Sequence, residues 1–208
     1  MTQAKIFAVQ TGYFCFSILF MPDNKTLLHD LSQQVDDITA RAKRLQSFTE
    51  QQLNMPPAAD KWSVAQVIAH LVHYNAFYLP KIEEALLKNN KHGTSYTPGW
   101  LGNYFTKLMQ PLPDGQLSSK MKAPAAAVPP TQLNGHSVLE IFIAQQEQLA
   151  KLLQQAAGAH LGKIRIVTSL STLLRLKLGD TFRFLVAHQQ RHFVQIRNVL
   201  AQTPVITV

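Results

Sequence analysis

The sequence predicts an all-α protein: a four-helix bundle with a long loop between its second and third helices. Three observations predict it. Apolar residues recur at helical spacing in four long stretches, capping boxes open two of them, and no alternating run is long enough to seed a sheet. Asp23 is a cap for a first helix carried by Leu27, Leu28, Leu31, Val35, Ile38, Ala42 and Leu45, ending before Pro56-Pro57. Ser63 with Gln66 forms a capping box, and Trp62 with Val67 a hydrophobic staple, so the second helix starts at Ser63. It runs through Val64, Ile68, Leu71 and Phe77 to about Leu87, with a kink expected at Pro80, whose ring removes one hydrogen bond.

Prolines and glycines punctuate residues 88–136, leaving room for one short helix near 102–110; a connection this long is uncommon unless it covers something. Ser137 with Glu140 forms the next capping box and opens a third helix that stops at Gly158. Residues 162–170 alternate weakly, as an extended piece does. Gly179-Asp180 then opens the fourth helix, with Asp180 as its cap.

With 208 residues, 46% of them hydrophobic, the chain can bury an ordinary core, and a single bundle domain over residues 23–203 is expected. A net charge of +8 suggests a polyanionic partner, but its lysines and arginines are scattered. The cluster Lys163, Arg165, Arg175 and Lys177 lacks interleaved aromatics for base stacking, so no specific nucleic-acid partner is expected. Cys15 is the only cysteine, which excludes an internal disulfide and a thiolate metal cluster. The apolar start of the chain is broken by Gln10, Thr11 and Gly12 and lacks a cleavage pattern. Residues 1–22 are read as an N-terminal extension, of which residues 1–20 lie upstream of a true start at Met21, and no membrane span is expected.

The segment His188-Gln-Gln-Arg-His192 carries the chemistry. Within a helix it stacks two imidazoles on one face, and neutral imidazoles four residues apart can grip one divalent cation if a third ligand arrives from elsewhere. His70 is the candidate third ligand, because it lies on the inward stripe of the second helix with Val67, Leu71 and Tyr74. His73 points away from that stripe, and His92, His136 and His160 fall in or beside loops. One buried histidine is more often a satisfied core residue than a ligand. Three together would leave several polar nitrogens unsatisfied, whereas one ion satisfies three at once.

Trp62-Ser-Val, Ile68-Ala-His70-Leu, and Lys177-Leu-Gly-Asp180 leading to His188-Gln-Gln-Arg-His192-Phe-Val-Gln-Ile resemble, in that order, the DinB-like superfamily of bacterial metalloproteins. The similarity spans roughly residues 23–200. It implies a four-helix bundle, often a homodimer, with a three-histidine site for zinc, nickel or a similar divalent ion, and by motif position His70, His188 and His192 are the metal ligands. Relatives include thiol-dependent enzymes such as bacillithiol S-transferases. The resemblance thus implies a cytoplasmic metal-dependent enzyme acting on a small molecule, a low-molecular-weight thiol among the candidates.

Three histidines leave coordination positions open for water or substrate, as catalytic sites do. An ion there serves hydrolysis by activating water, or S-transfer by holding a thiolate. The candidates for catalytic roles are Tyr74, Gln195 and Arg191. Tyr74 lies one turn after His70, to offer a phenol or simply to pack. Gln195 shares a face with His188, to meet a bound ligand or simply a neighbouring backbone. Arg191, like Arg183, meets an anionic cosubstrate or forms a surface ion pair. No general-base carboxylate is recognisable beside the histidines, which favours thiol transfer over hydrolysis. A metal-binding or stress-associated bundle without turnover is the reading from outside enzymology.

Overall fold

The structure is a computed structural model that describes residues 23–117 and 121–202. The expectations for residues 1–22, the Met21 start and Cys15 lie outside the described residues. Among the described residues six α-helices form: α1 (Asn24–Arg44), α2 (Glu50–Asn54), α3 (Val64–Lys88), α4 (Trp100–Met109), α5 (Gly135–Gln155) and α6 (Leu178–Gln202). The four long ones, α1, α3, α5 and α6, make the bundle. Among the described residues no helix is long and apolar enough to cross a membrane.

Helix starts follow local chemistry. The Asp23 carboxylate accepts the Thr26 N–H at 2.7 Å, and the Ser63–Gln66 box closes in both directions at 3.0 and 3.2 Å. α3 passes Pro80 without ending, because both Pro80 and Ala76, whose carbonyl loses its partner, lie on the exposed side.

Four expectations need correction. The first helix does not run on to Pro56: α1 ends at Arg44, and a second capping box, Thr49 with Gln52, starts the separate α2. α5 begins one turn before Ser137, since Asn134 accepts the Ser137 N–H at 2.9 Å, while Glu50 of α2 accepts the Gly135 and His136 N–H groups at 2.5 and 3.2 Å. Residues 162–170 are extended as expected, but the expectation of no sheet fails, because they hold one half of a hairpin, β1 (Arg165–Val167) against β2 (Arg175–Lys177), antiparallel with Ile166 opposite Leu176. Asp180 is no cap, since α6 starts two residues earlier and the N–H groups of Leu178 and Gly179 are taken by the carbonyls of Ile164 and Leu161.

The connectivity explains the long loop. The Asn24 side chain donates to the carbonyls of Gly93 and Ala159, so α1 starts where α3 and α5 end. Gly179 is tied to Leu161, just past α5, so α6 starts at that end too. α3 and α5 therefore run in parallel, against α1 and α6, and they pack side by side. A chain that leaves the end of α3 must return the whole length of the helix, about 37 Å for a helix of this size, before α5 can begin. Residues 89–134 make that return, and α4 packs on α6 along the way.

α6 has neighbours on several sides, packing against α1, α3 and α4. Its polar residues Asp180, Thr181, His188, Gln189, Arg191 and His192 are consequently buried with its apolar ones. The core around it includes Val35, Ile38, Leu71, Ile82, Phe142, Leu149, Phe182 and Leu185.

Candidate metal centre

α3 and α6 run antiparallel and present His70 to His188 and His192. Three imidazoles meet there, 4%, 4% and 9% exposed in that order. The Nε2 atom of His188 lies 3.4 Å from Nε2 of His70 and 3.0 Å from Nε2 of His192. The ligand-capable nitrogens of all three fall within 4.8 Å of one another. Ligands about 2.05 Å from a tetrahedral zinc ion stand about 3.3 Å apart, so this spacing suits a shared ion.

The remaining ring nitrogens set the tautomers. His70 Nδ1–H donates to the Ala127 carbonyl at 2.8 Å, and His192 Nδ1–H donates to Gln195 Oε1 at 2.9 Å. Both rings therefore turn a bare Nε2 lone pair inward. His188 can supply at most one Nε2–H for the two of them, so hydrogen bonding among the three rings leaves at least one inward lone pair unmatched. A cation between them satisfies the set.

Electrostatics agree. Burial holds the pKa of His70 below the ordinary histidine value. Burial, then the neighbouring His192, His70 and Arg191, push His188 well below it, and burial first, with His70 and Arg191 adding, takes His192 down to about 3. All three rings are neutral at pH 7, the form that binds metal. Among the described residues the cluster contains no carboxylate and no cysteine.

Rings wall the centre. Tyr74 lies 4.9 Å from the His70 ring and 4.6 Å from that of His188; Trp62 lies 5.2 Å from His70; Phe184 stacks on His188 at 5.8 Å and 8°. Burial raises the Tyr74 pKa, so its phenol keeps its proton at neutral pH. Gln195 stands behind His192, accepting its Nδ1–H. Arg191 is 5% exposed, not a surface residue, because α6 is covered on so many sides; Arg183 is partly buried, 3.0 Å from Asn103 and 3.7 Å from Asp180.

The sequence profile of the DinB superfamily matches residues 30–196, which holds all three histidines. The chain belongs to the DinB superfamily. A comparison with curated proteins finds no match. Among solved structures, the chain is similar to YfiT from Bacillus subtilis, described as a probable metal-dependent hydrolase with an unusual four-helix bundle topology. Identity is 16%, over 83% of this chain and 85% of that one, at a TM-score of 0.49.

Three groups at this DinB-superfamily centre escaped sequence reasoning. The Ala127 carbonyl is a backbone atom in a 3-10 turn of the long connection, and no side-chain pattern announces it. Phe184 and Trp62 were legible only as core and staple residues. The i,i+4 spacing of Phe184 and His188 was the available signal for their stacking.

Proposed function

We propose that this DinB-superfamily chain is a divalent-metal-dependent enzyme, with the bundle over residues 23–203 as the working unit and His70, His188 and His192 as the metal ligands. The observation that carries this reading is the convergence of three Nε2 atoms at 3.0 to 3.4 Å with their partner nitrogens engaged elsewhere. A divalent ion held there supplies Lewis-acid chemistry, lowering the pKa of a thiol or water that reaches it.

The chain's own residues do the rest. Ala127 and Gln195 fix the planes and tautomers of two ligand rings. Trp62, Tyr74 and Phe184 exclude water and lower the local dielectric, which strengthens every charge interaction inside. The buried Arg191 guanidinium adds positive charge beside the histidines and suits an anionic cosubstrate. Transfer to or from a low-molecular-weight thiol is the reaction we favour, because the histidine cluster offers no carboxylate as general base and a thiol that ionises on the metal needs none. Hydrolysis is the second reading, favoured by Tyr74, whose ring lies 4.6 Å from that of His188 and whose retained proton is one a leaving group could take.

Elemental analysis of untagged protein tests the core of the reading. About one zinc or nickel ion per chain is expected, absent from His188→Ala while that variant keeps its helical circular dichroism. No metal in the wild type, even after incubation with either ion, overturns it. Titrating the cobalt-substituted protein with a small thiol then separates the two reactions, since thiolate ligation adds a near-ultraviolet sulfur-to-cobalt charge-transfer band.

A further inference from the structure

Below the histidines the bundle core contains a second polar group, made wholly of carboxamides. Asn75 on α3, Gln146 on α5 and Gln189 on α6 are 1%, 0% and 1% exposed. Gln189 Nε2–H donates to Asn75 Oδ1 at 3.1 Å. Helix geometry brings Gln146 to the same level. The rings of Phe142 and Phe193 meet across the core at 5.9 Å, and α5 runs against α6. Gln146 follows Phe142 by one turn and Gln189 precedes Phe193 by one turn, so the two amides lie at one level, a turn along the core from that ring contact. Gln145, next to Gln146, donates to the Val72 carbonyl of α3 at 3.3 Å and ties this level of α5 to the level of Asn75.

Three buried carboxamides around one hydrogen bond leave polar atoms over. Asn75 Nδ2, Gln189 Oε1, and both Nε2 and Oε1 of Gln146 are sealed from solvent without a protein partner. Within these three residues the remainder is two amide nitrogens and two amide oxygens, and the neighbouring Gln145 Oε1, also sealed without a partner, adds one acceptor. Exchanging the nitrogen and oxygen of Gln146, or of Asn75 and Gln189 together, leaves the total unchanged, whereas flipping Asn75 or Gln189 alone breaks their hydrogen bond and strands more atoms. A direct bond between Gln146 and Gln189 would satisfy two of the four and strand the others. Such atoms are costly in a low-dielectric interior.

We propose that this layer is a built internal water site, in which a pair of ordered waters joins Asn75, Gln146 and Gln189. Water brings two donors and two acceptors, the complement of the leftover set. Two are needed because the nitrogen and oxygen of one carboxamide diverge and cannot both aim at a single molecule. The site belongs to the bundle rather than to the metal centre, and it stays filled whether or not the histidines hold an ion. By joining α3 to α6 at Gln189, the residue next to His188, the waters brace the pair of helices that carries the histidines.

Water-to-amide cross-relaxation in NMR spectra of the full chain, metal-free and zinc-loaded, tests this. The Asn75, Gln146 and Gln189 side-chain amides are expected to show contacts to long-lived water in both states, and those of Asn75 and Gln189 to lose them in Gln146→Met. Absence of such contacts in the wild type overturns the proposal whatever the variant does. So does their persistence unchanged in a folded Gln146→Met. A crystal structure that shows Gln146 bonded directly to Gln189, with no water density between the amides, overturns it as well.

Discussion

At the scale of single residues, the histidine cluster is governed by what lies behind each ring. Gln195 accepts the His192 Nδ1–H, and it is reached by a helical step of three residues. Gln195→Ala should therefore leave the fold intact and weaken metal binding about 10- to 100-fold, the usual effect of losing such a partner, as read by competition with a chromophoric chelator. An unchanged affinity would show that packing alone orients His192. The same burial that keeps the rings neutral makes the metal-free fold sensitive to acid. The unfolded chain binds protons at histidine below its ordinary value of 6.5, while in the fold His70 and His188 are lowered and His192 titrates only near 3. The unfolded state thus binds more protons as pH falls below 6.5, so stability is full above that value and declines below it. Carboxylates with lowered values, such as Glu50, enter only below their ordinary 4.5. Urea midpoints of the apoprotein should therefore fall between pH 6.5 and 4.5, and a flat profile across that window would contradict neutral burial.

At the scale of elements, the docking of α4 is the exacting contact. The Asp180 carboxylate, 1% exposed, accepts from the Tyr96 hydroxyl and from the Gly99 N–H at 3.1 and 3.2 Å, and faces Arg183. A Cβ on Gly102 would stand 2.2 Å from Asp180 Cγ and 2.3 Å from its Cβ, closer than real atoms come. Gly102→Ala must push α4 off α6 and should cost about 1–3 kcal/mol, as overpacking does, measured by urea denaturation. A neutral result would mean that α4 shifts freely on its bed. This contact also shows where sequence reading stops. Asp180 looked like a cap because caps are local, whereas its partners lie about 80 positions away along the chain. Helix existence and the Ser63 box were legible because period and capping are written within a few residues. Asn134 displaced Ser137 as cap, and Thr49 ended the first helix early, because two good cap types lay close together and Glu50 of α2 arbitrated at the α5 start. Of the two three-residue strands, β1 was legible only as a weakly alternating extended piece, and β2 carries too little pattern to be read. The histidine pair was plain from its spacing and His70 from its stripe, while the Ala127 carbonyl reached the centre only through the return path that parallel α3 and α5 impose.

For the whole molecule, the question is whether the fold depends on the ion. The three histidines join α3 to α6 only, whereas the apolar core runs through all four long helices, from Leu31 and Val35 on α1 to Leu149 and Leu153 on α5. Such a core does not need a metal to close, unlike a small metallo-domain that is unfolded without one. Removing the ion should therefore lower the melting temperature without loss of helix. The size follows mass action: at an ion concentration 100 times the dissociation constant, the lost stabilisation is about 2.7 kcal/mol. Chelating the purified protein while following far-ultraviolet circular dichroism and calorimetry checks this. A retained helical spectrum with a transition that returns when zinc or nickel is restored fits a site kept for chemistry. A cooperative loss of helix at room temperature on chelation would assign the ion a structural role, and the bundle would then stand as a metal-stabilised binding module, not an enzyme.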